Sequence, residues 1–281
     1  MEARIRWSRR ALALVATLTL ALTACRGEDA DEPDAPKDDD TTSASPSPAF
    51  APAPPVGACY RLSQPQLSEA HPEAPPVPCA QPHTTQTYAV TTLAGITAPV
   101  DSTAVAATAD RQCRAGLRRF VAATPARLAL SRVSYAWFVP TQDDLDAGSR
   151  WLRCDVAALR TDTTLVNLPA DARGLLRRDR ALNRYGRCAR TNAAGISTGA
   201  GGRVCALPHT WRAIAARRLG AAAAPYPGRS VRGDVLGRCE QVSRDYTGNT
   251  TGDISVAWRP PTRAQWAAGE RFGLCWTRTR D

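Results

Sequence analysis

Lysine is almost missing from this chain. Of its 36 basic residues, Lys37 is the sole lysine and the rest are arginine. Arginine in place of lysine, with abundant alanine, is the mark of GC-rich coding. The basic surplus is therefore compositional first, and no nucleic-acid partner is expected from it. Large apolar residues are also scarce, with 4 Phe and 1 Met in 281 residues. Alanine-rich cores bury little area per residue, so cross-links would help to hold them. Histidine is limited to His71, His83 and His209. Ser-His-Asp chemistry needs three convergent groups, and no serine lies in a Gly-x-Ser-x-Gly turn. No long apolar run is present either. The longest, Ala11 to Leu22, is too short to span a bilayer comfortably, which takes about 20 apolar residues.

That short run has another reading. Arg4, Arg6, Arg9 and Arg10 precede it as a positive n-region, and the run itself fits a signal-peptide h-region. Leu22-Thr23-Ala24-Cys25 follows and resembles the bacterial lipobox. That resemblance implies acylation of the Cys25 thiol and cleavage just before it. Ser8-Arg9-Arg10 resembles the start of a twin-arginine signal, but Leu12 and Ala13 fit the remainder poorly, so the general secretory route is favoured. Residues 1–24 are thus read as a signal peptide and residues 25–55 as a lipidated tether. The tether is first acidic, with Asp38 to Asp40 closing a like-charge run, and then Pro/Ser/Thr-rich up to Pro55. The expected location is the extracytoplasmic face of the cell membrane, held by a lipid anchor. Beyond the tether, residues 56–281 carry 30 basic against 17 acidic residues.

Nine cysteines divide as one plus eight. With Cys25 lipidated, Cys59, Cys79, Cys113, Cys154, Cys188, Cys205, Cys239 and Cys275 remain. In an oxidising compartment an even set of this size reads as disulfides. It leaves no free thiol for cysteine-protease chemistry. The two quartets repeat one pattern. Gly57-Ala58-Cys59 matches Gly186-Arg187-Cys188. Cys79-Ala80-Gln81-Pro82-His83-Thr84 matches Cys205-Ala206-Leu207-Pro208-His209-Thr210 in five of six residues. The second and third cysteines lie 34 residues apart in both. Ala136-Trp137-Phe138-Val139-Pro140-Thr141 aligns with Ala257-Trp258-Arg259-Pro260-Pro261-Thr262, continuing to Cys154 and Cys275. The chain therefore reads as a tandem duplication, with units at 56–165 and 180–281. If each unit closes on itself and the two agree, three connectivities remain. First to second and third to fourth is preferred, because Cys113 falls on a helix that would face the strand bearing Cys154.

The predicted unit is α+β. Thr84 to Val90 is β-prone. Val105, Ala109, Cys113, Leu117 and Phe120 form one apolar stripe of a helix over 104–122. Val133, Tyr135, Trp137 and Val139 alternate as a strand. Thr141 reads as an N-cap of a short helix ending at Gly148, repeated by Thr262, Gln265 and Gly269. Closing strands follow at 150–156 and 271–277. Each of two disulfide-stabilised domains should thus pack one main helix on a small antiparallel sheet. Asp162 to Arg184 is a connector, helical in part. Arg190 to Gly202 replaces the Pro-rich 61–78 loop, and Gly273 replaces an apolar strand residue, so the second unit reads as degenerate or differently specialised.

Taken in order, Gly-x-Cys, Cys-x-x-Pro-His, the helix Cys, the Trp-x-x-Pro-Thr block and the final Cys resemble the septum-formation domain of actinobacterial envelope proteins. The resemblance implies a membrane-attached, extracytoplasmic protein without an established catalytic mechanism. The expected function is a non-enzymatic envelope lipoprotein, a binding or scaffold protein linked to septum formation or cell-wall processes. Its partner would be a divisome protein or an anionic wall polymer. The alternative is an extracytoplasmic sensor or small-ligand-binding lipoprotein with its site between the two units. No acid/base pair is repeated, since Asp143 and Asp144 become Ala264 and Gln265, and neither a catalytic residue, a cofactor nor a metal is expected. His83 and His209, equivalent positions after proline, read as structural or pH-sensing. A Cys-x-x-x-His metal site would need thiolates that an oxidising compartment removes. Trp137, Trp258, Trp151, Phe272, Leu145 and Trp266 read as core anchors, with an exposed glycan platform as the alternative. Arg177-Arg178 and Arg217-Arg218 read as solvated helix faces.

Overall fold

A computed structural model of the chain describes residues 52–93, 99–228 and 233–279. The signal peptide, Cys25 and the tether as far as Ala51 lie outside the described residues. Two five-stranded antiparallel sheets form the framework. The first contains β1 (Cys59–Tyr60), β2 (Pro76–Val77), β3 (Thr85–Thr92), β4 (Val133–Phe138) and β5 (Trp151–Ala158), in the order β2-β1-β3-β5-β4. The second contains β6 (Arg187–Ala189), β7 (Gly202–Val204), β8 (Trp211–Arg218), β9 (Val256–Arg259) and β10 (Phe272–Arg278), in the order β7-β6-β8-β10-β9. The two orders correspond strand for strand. So do their irregularities. Tyr88 is the extra residue between the pairs Thr87↔Asp155 and Ala89↔Cys154, and Ile214 is the extra residue between Ala213↔Trp276 and Ala215↔Cys275. Each bulge lies beside a cysteine of the central strand and re-aims one side chain.

The long helix α1 (Thr103–Phe120) covers one face of the first sheet. Ser102 caps it by accepting from the Val105 amide, satisfying one of the unpaired N–H groups of the first turn. Its buried residues are Val105, Ala109, Cys113, Leu117 and Phe120, the stripe spaced at i, i+4 and i+3. On the second sheet α6 (Gly233–Thr247) takes the corresponding place against β8, β9 and β10. Cys113–Cys154 and Cys239–Cys275 pin these helices to their sheets, and Cys59–Cys79 and Cys188–Cys205 close the outer strands. The pairing is first to second and third to fourth in each quartet. Such cross-links matter where the cores are built largely from Ala, Val and Leu.

Shorter helices complete the frame: α2 (Pro125–Ala129), α3 (Gln142–Asp146), α4 (Ala181–Tyr185), α5 (Ala193–Thr198) and α7 (Arg263–Ala267). α3 and α7 begin on threonine caps, Thr141 and Thr262, and α7 has the reciprocal capping box with Gln265. Arg150 donates to the Leu145 carbonyl and Arg271 to the Trp266 carbonyl, so each arginine closes the short helix that precedes it.

Of the connector, Ala181–Tyr185 is helical, and Leu168, Ala172, Leu175, Leu176 and Tyr185 enter the first core. The sheets are stitched together by main-chain bonds: Arg132 N–H to Tyr185 O at 2.8 Å, Arg187 N–H to Leu130 O at 2.8 Å and Val204 N–H to Arg160 O at 2.9 Å. All of this belongs to one compact unit, Ser47–Asp281. Among the described residues no helix is long and apolar enough to cross a membrane.

Candidate functional site

The paired histidines have one local job in common. After each cysteine the chain turns, and the His83 Nδ1–H donates to the Gln81 carbonyl and the His209 Nδ1–H to the Leu207 carbonyl, both at 2.8 Å. The bond closes a tight turn that feeds β3 or β8. His83 is fully buried, and its Nε2 has no hydrogen-bond partner. Sγ of Cys188, Sγ of Cys205 and a ring nitrogen of His209 lie within 4.8 Å of one another, a spacing compatible with a metal. The two sulfurs are bonded to each other, however, so neither offers the thiolate that zinc requires.

The described tryptophans are buried or half-buried, as is Phe272, while Tyr246 is exposed. Trp211, Trp258, Trp266 and Trp276 are buried, and Trp137 and Trp151 are half-buried, so the described tryptophans form no exposed platform for a glycan. Of the two readings of Gly273, degenerate or differently specialised, the packing favours the second. A Cβ at Gly273 would come within 2.1 Å of the Trp258 ring, which occupies that space. Its cysteine-register equivalent, Leu152, is fully buried, while Trp137 is only half-buried. One sheet fills the volume with a leucine from the central strand, the other with an indole from its neighbour. Neither arginine pair is on a helix: Arg177-Arg178 is exposed in a turn, and Arg217-Arg218, with Arg217 half-buried, ends β8.

Two charged constellations remain. Within the first sheet, Arg153 lies between aromatic rings, 3.9 Å from the Tyr60 centroid and 4.2 Å from that of Phe138. Its Nε is 3.1 Å from Oδ1 of the fully buried Asp155, which accepts hydrogen bonds from Thr87 at 2.8 Å and Thr85 at 3.0 Å. Burial pushes the Asp155 carboxyl up, and Arg153 and the two hydroxyls pull it back. No cavity opens onto this pair among the clefts described below, so it reads as a structural knot.

The second constellation is open to solvent. The first sheet's face opposite α1 is covered by the 61–78 loop through Leu62, Leu67 and Ala74. The corresponding segment of the second sheet, 190–202, folds as α5, and α2 packs across from the first half to share the work. This leaves two adjoining shallow clefts, both lined by Arg187 and Arg259. Arg132 joins them in the smaller cleft and Glu270 in the larger. Arg132 is committed, donating to the Leu159 and Thr161 carbonyls and to Asp162 Oδ1. Arg187 donates only Nε–H, to Ala129 O at 2.9 Å, and Arg259 donates no hydrogen bond among the described residues. Burial, then the Arg132 charge, lowers the Arg187 guanidinium to about 10, and burial lowers that of Arg259. At neutral pH Arg187 is still cationic, with Glu270 and Asp162 partly offsetting the effects of burial and of Arg132.

None of these three arginines stood out in the sequence. The signal was there in two substitutions, Arg187 where the first block has Ala58 and Arg259 where it has Phe138. Compositional arginine richness hid them.

Neither the curated proteins nor the solved structures contain a match to this chain. A family model described as septum formation matches residues 57–275, from the turn before the first disulfide to the last cysteine. On a match of that extent, the chain belongs to the septum-formation family.

Proposed function

We propose that the protein is a lipid-anchored envelope protein of actinobacterial type that acts without catalysis, binding a partner during septum formation. The observation that carries this reading is the family match, which spans both cysteine quartets and both sheets. The role it implies is septal, and the remaining parts of the reading come from the residues. Leu22-Thr23-Ala24-Cys25 supports acylation at Cys25, and the acidic and Pro-rich tether supports a folded part held tens of ångströms from the lipid, at roughly 3 Å per extended residue. Corresponding strand orders, bulges and disulfides support descent of the two halves from a tandem duplication. A partner that bears negative charge, such as an anionic wall polymer, suits the basic surplus of residues 56–281.

A fluorescent fusion after Asp281, imaged through growth and division of the native host, tests the septal role. Enrichment at new septa is the expected result. A uniform peripheral signal through the division cycle would overturn it. Replacing Cys25 by Ser in the same fusion is expected to release the protein from the membrane fraction.

A further inference from the structure

The smaller cleft keeps unused positive donors, those of Arg187 and Arg259, after its one ion pair, Arg132 with Asp162, has been made. Arg132, Arg187 and Arg259 reach it from three different elements, and no carboxylate lines it. Of the two nearby carboxylates, Asp162 is occupied by Arg132 and by the Gly202 amide, at 3.0 and 3.1 Å. Glu270 lines only the neighbouring cleft. Holding like-charged guanidinium groups together with partial loss of hydration costs free energy that an anion would recover.

The cleft is also shaped around those groups. A Cβ at Gly199 would come within 2.4 Å of the Arg259 guanidinium, and one at Gly202 within 2.5 Å of that of Arg132 and 2.7 Å of the Asp162 carboxylate paired with it. Gly199 has φ of 85°, which favours glycine independently. Two glycines thus make room for two guanidinium groups at one wall. One further donor is present: Trp276 lines the cleft, is buried, and has an indole N–H without a partner.

We propose that the cleft of Arg132, Arg187 and Arg259 binds a compact oxyanion, a phosphate or phosphodiester group. Guanidinium forks match the oxygen edges of such groups with two parallel hydrogen bonds. This deepens the binding reading above by naming the chemistry recognised. It is tested on purified protein, so failure of septal enrichment and failure of the anion site are separate results.

Titration calorimetry of the folded chain with inorganic phosphate, and with glycerophosphoglycerol as a soluble phosphodiester, is compared with chloride at matched ionic strength. In parallel, the indole N–H resonance of Trp276 is followed by NMR. Saturable heat with the oxyanions, and a shift of that resonance, are expected. Arg259→Gln is expected to fold as the parent does, because Arg259 makes no hydrogen bond to lose. It should weaken oxyanion binding about tenfold or more, the equivalent of one charge-assisted hydrogen bond. Arg218→Gln, at the far end of β8, should change nothing and serves as the charge control. Tighter binding of the diester assigns the site to a polymer or headgroup, and tighter binding of phosphate assigns it to the free ion; either supports the proposal. Equal heats with chloride, or equal binding by the folded Arg259→Gln protein, would overturn it.

Discussion

The two sheets share strand order, bulge position and disulfide placement, yet they solve the burial of one cross-strand pair in opposite ways. In the first, Phe138 on β4 pairs with Arg153 on β5. In the second, the arginine is on the outer strand and the apolar residue on the central one, Arg259 opposite Leu274. The exchange decides what each face becomes. With the charge on the central strand, Arg153 is sealed between Tyr60 and Phe138 and needs Asp155 as a buried counter-ion. With the charge on the outer strand, the centre becomes apolar, with Trp276 in place of Asp155 and Trp211 and Ala213 in place of Thr85 and Thr87. Arg259 is then left at the rim, facing a cleft. A common frame thus supports a closed ionic knot in one half and an open cationic cleft in the other. The difference rests on a few side chains and on the segment that covers the face.

The comparison can be broken most severely at the knot. Asp155→Ala leaves Arg153 buried without its counter-ion and is expected to cost about 3–5 kcal/mol in denaturant unfolding. Transplanting the apolar solution, Arg153→Leu with Asp155→Val, should recover most of that loss, since a buried ion pair replaced by apolar groups is often close to neutral. A double variant as unstable as the single one would show that the knot contributes more than mutual neutralisation.

Disulfides give the next largest effect. Alanine at both Cys113 and Cys154 is expected to cost about 2–4 kcal/mol, and the same change at Cys188 and Cys205 less, because the closed loops are 41 and 17 residues long. The reverse order, measured by urea midpoint, would mean that the short bridge constrains more than its own loop.

Gly273→Ala places a methyl group against the Trp258 ring and should cost about 1–3 kcal/mol by overpacking. Adding Trp258→Leu should relieve it, because the smaller side chain vacates the space the methyl group needs. If the second change brings no recovery, the Trp-for-Leu exchange is not the reason for the glycine.

The smallest effect is at the short helices. Thr262→Ala removes only the hydroxyl half of the capping box, since the backbone N–H of residue 262 still donates to Gln265, whereas Thr141→Ala removes a hydroxyl that both accepts from the Asp144 amide and donates to Asp144 Oδ2; both should cost about 1 kcal/mol, the latter more. Thermal unfolding of the two variants side by side resolves the order.

Much of the frame was legible because it depends on local periodicity and on cysteine chemistry. The stripe Val105, Ala109, Cys113, Leu117 and Phe120 defines the buried side of α1 whatever it packs on, and the caps at Thr141 and Thr262 act within one turn. Equivalent spacings in the two quartets point to equivalent bridges. The short strands β2, β6 and β7 and the helix α2 were not legible, since two or three extended residues or five helical ones carry no periodic signal. What replaces the missing side chain at Gly273 was not legible for a different reason. The ring that fills its space belongs to Trp258, fifteen residues earlier on the neighbouring strand, and only pairing brings the two together.

The sequence by itself determined the α+β character, the oxidised cysteine framework, the two corresponding blocks and Trp258 and Trp266 as buried anchors. These follow from composition, spacing and residue chemistry acting over a few turns of chain. Tertiary structure alone decided that the second sheet's open face is completed by α2 from the first half, and that Arg132, Arg187 and Arg259 converge there. Charge convergence across 127 residues of chain depends on which strand faces which loop, and no local pattern records it.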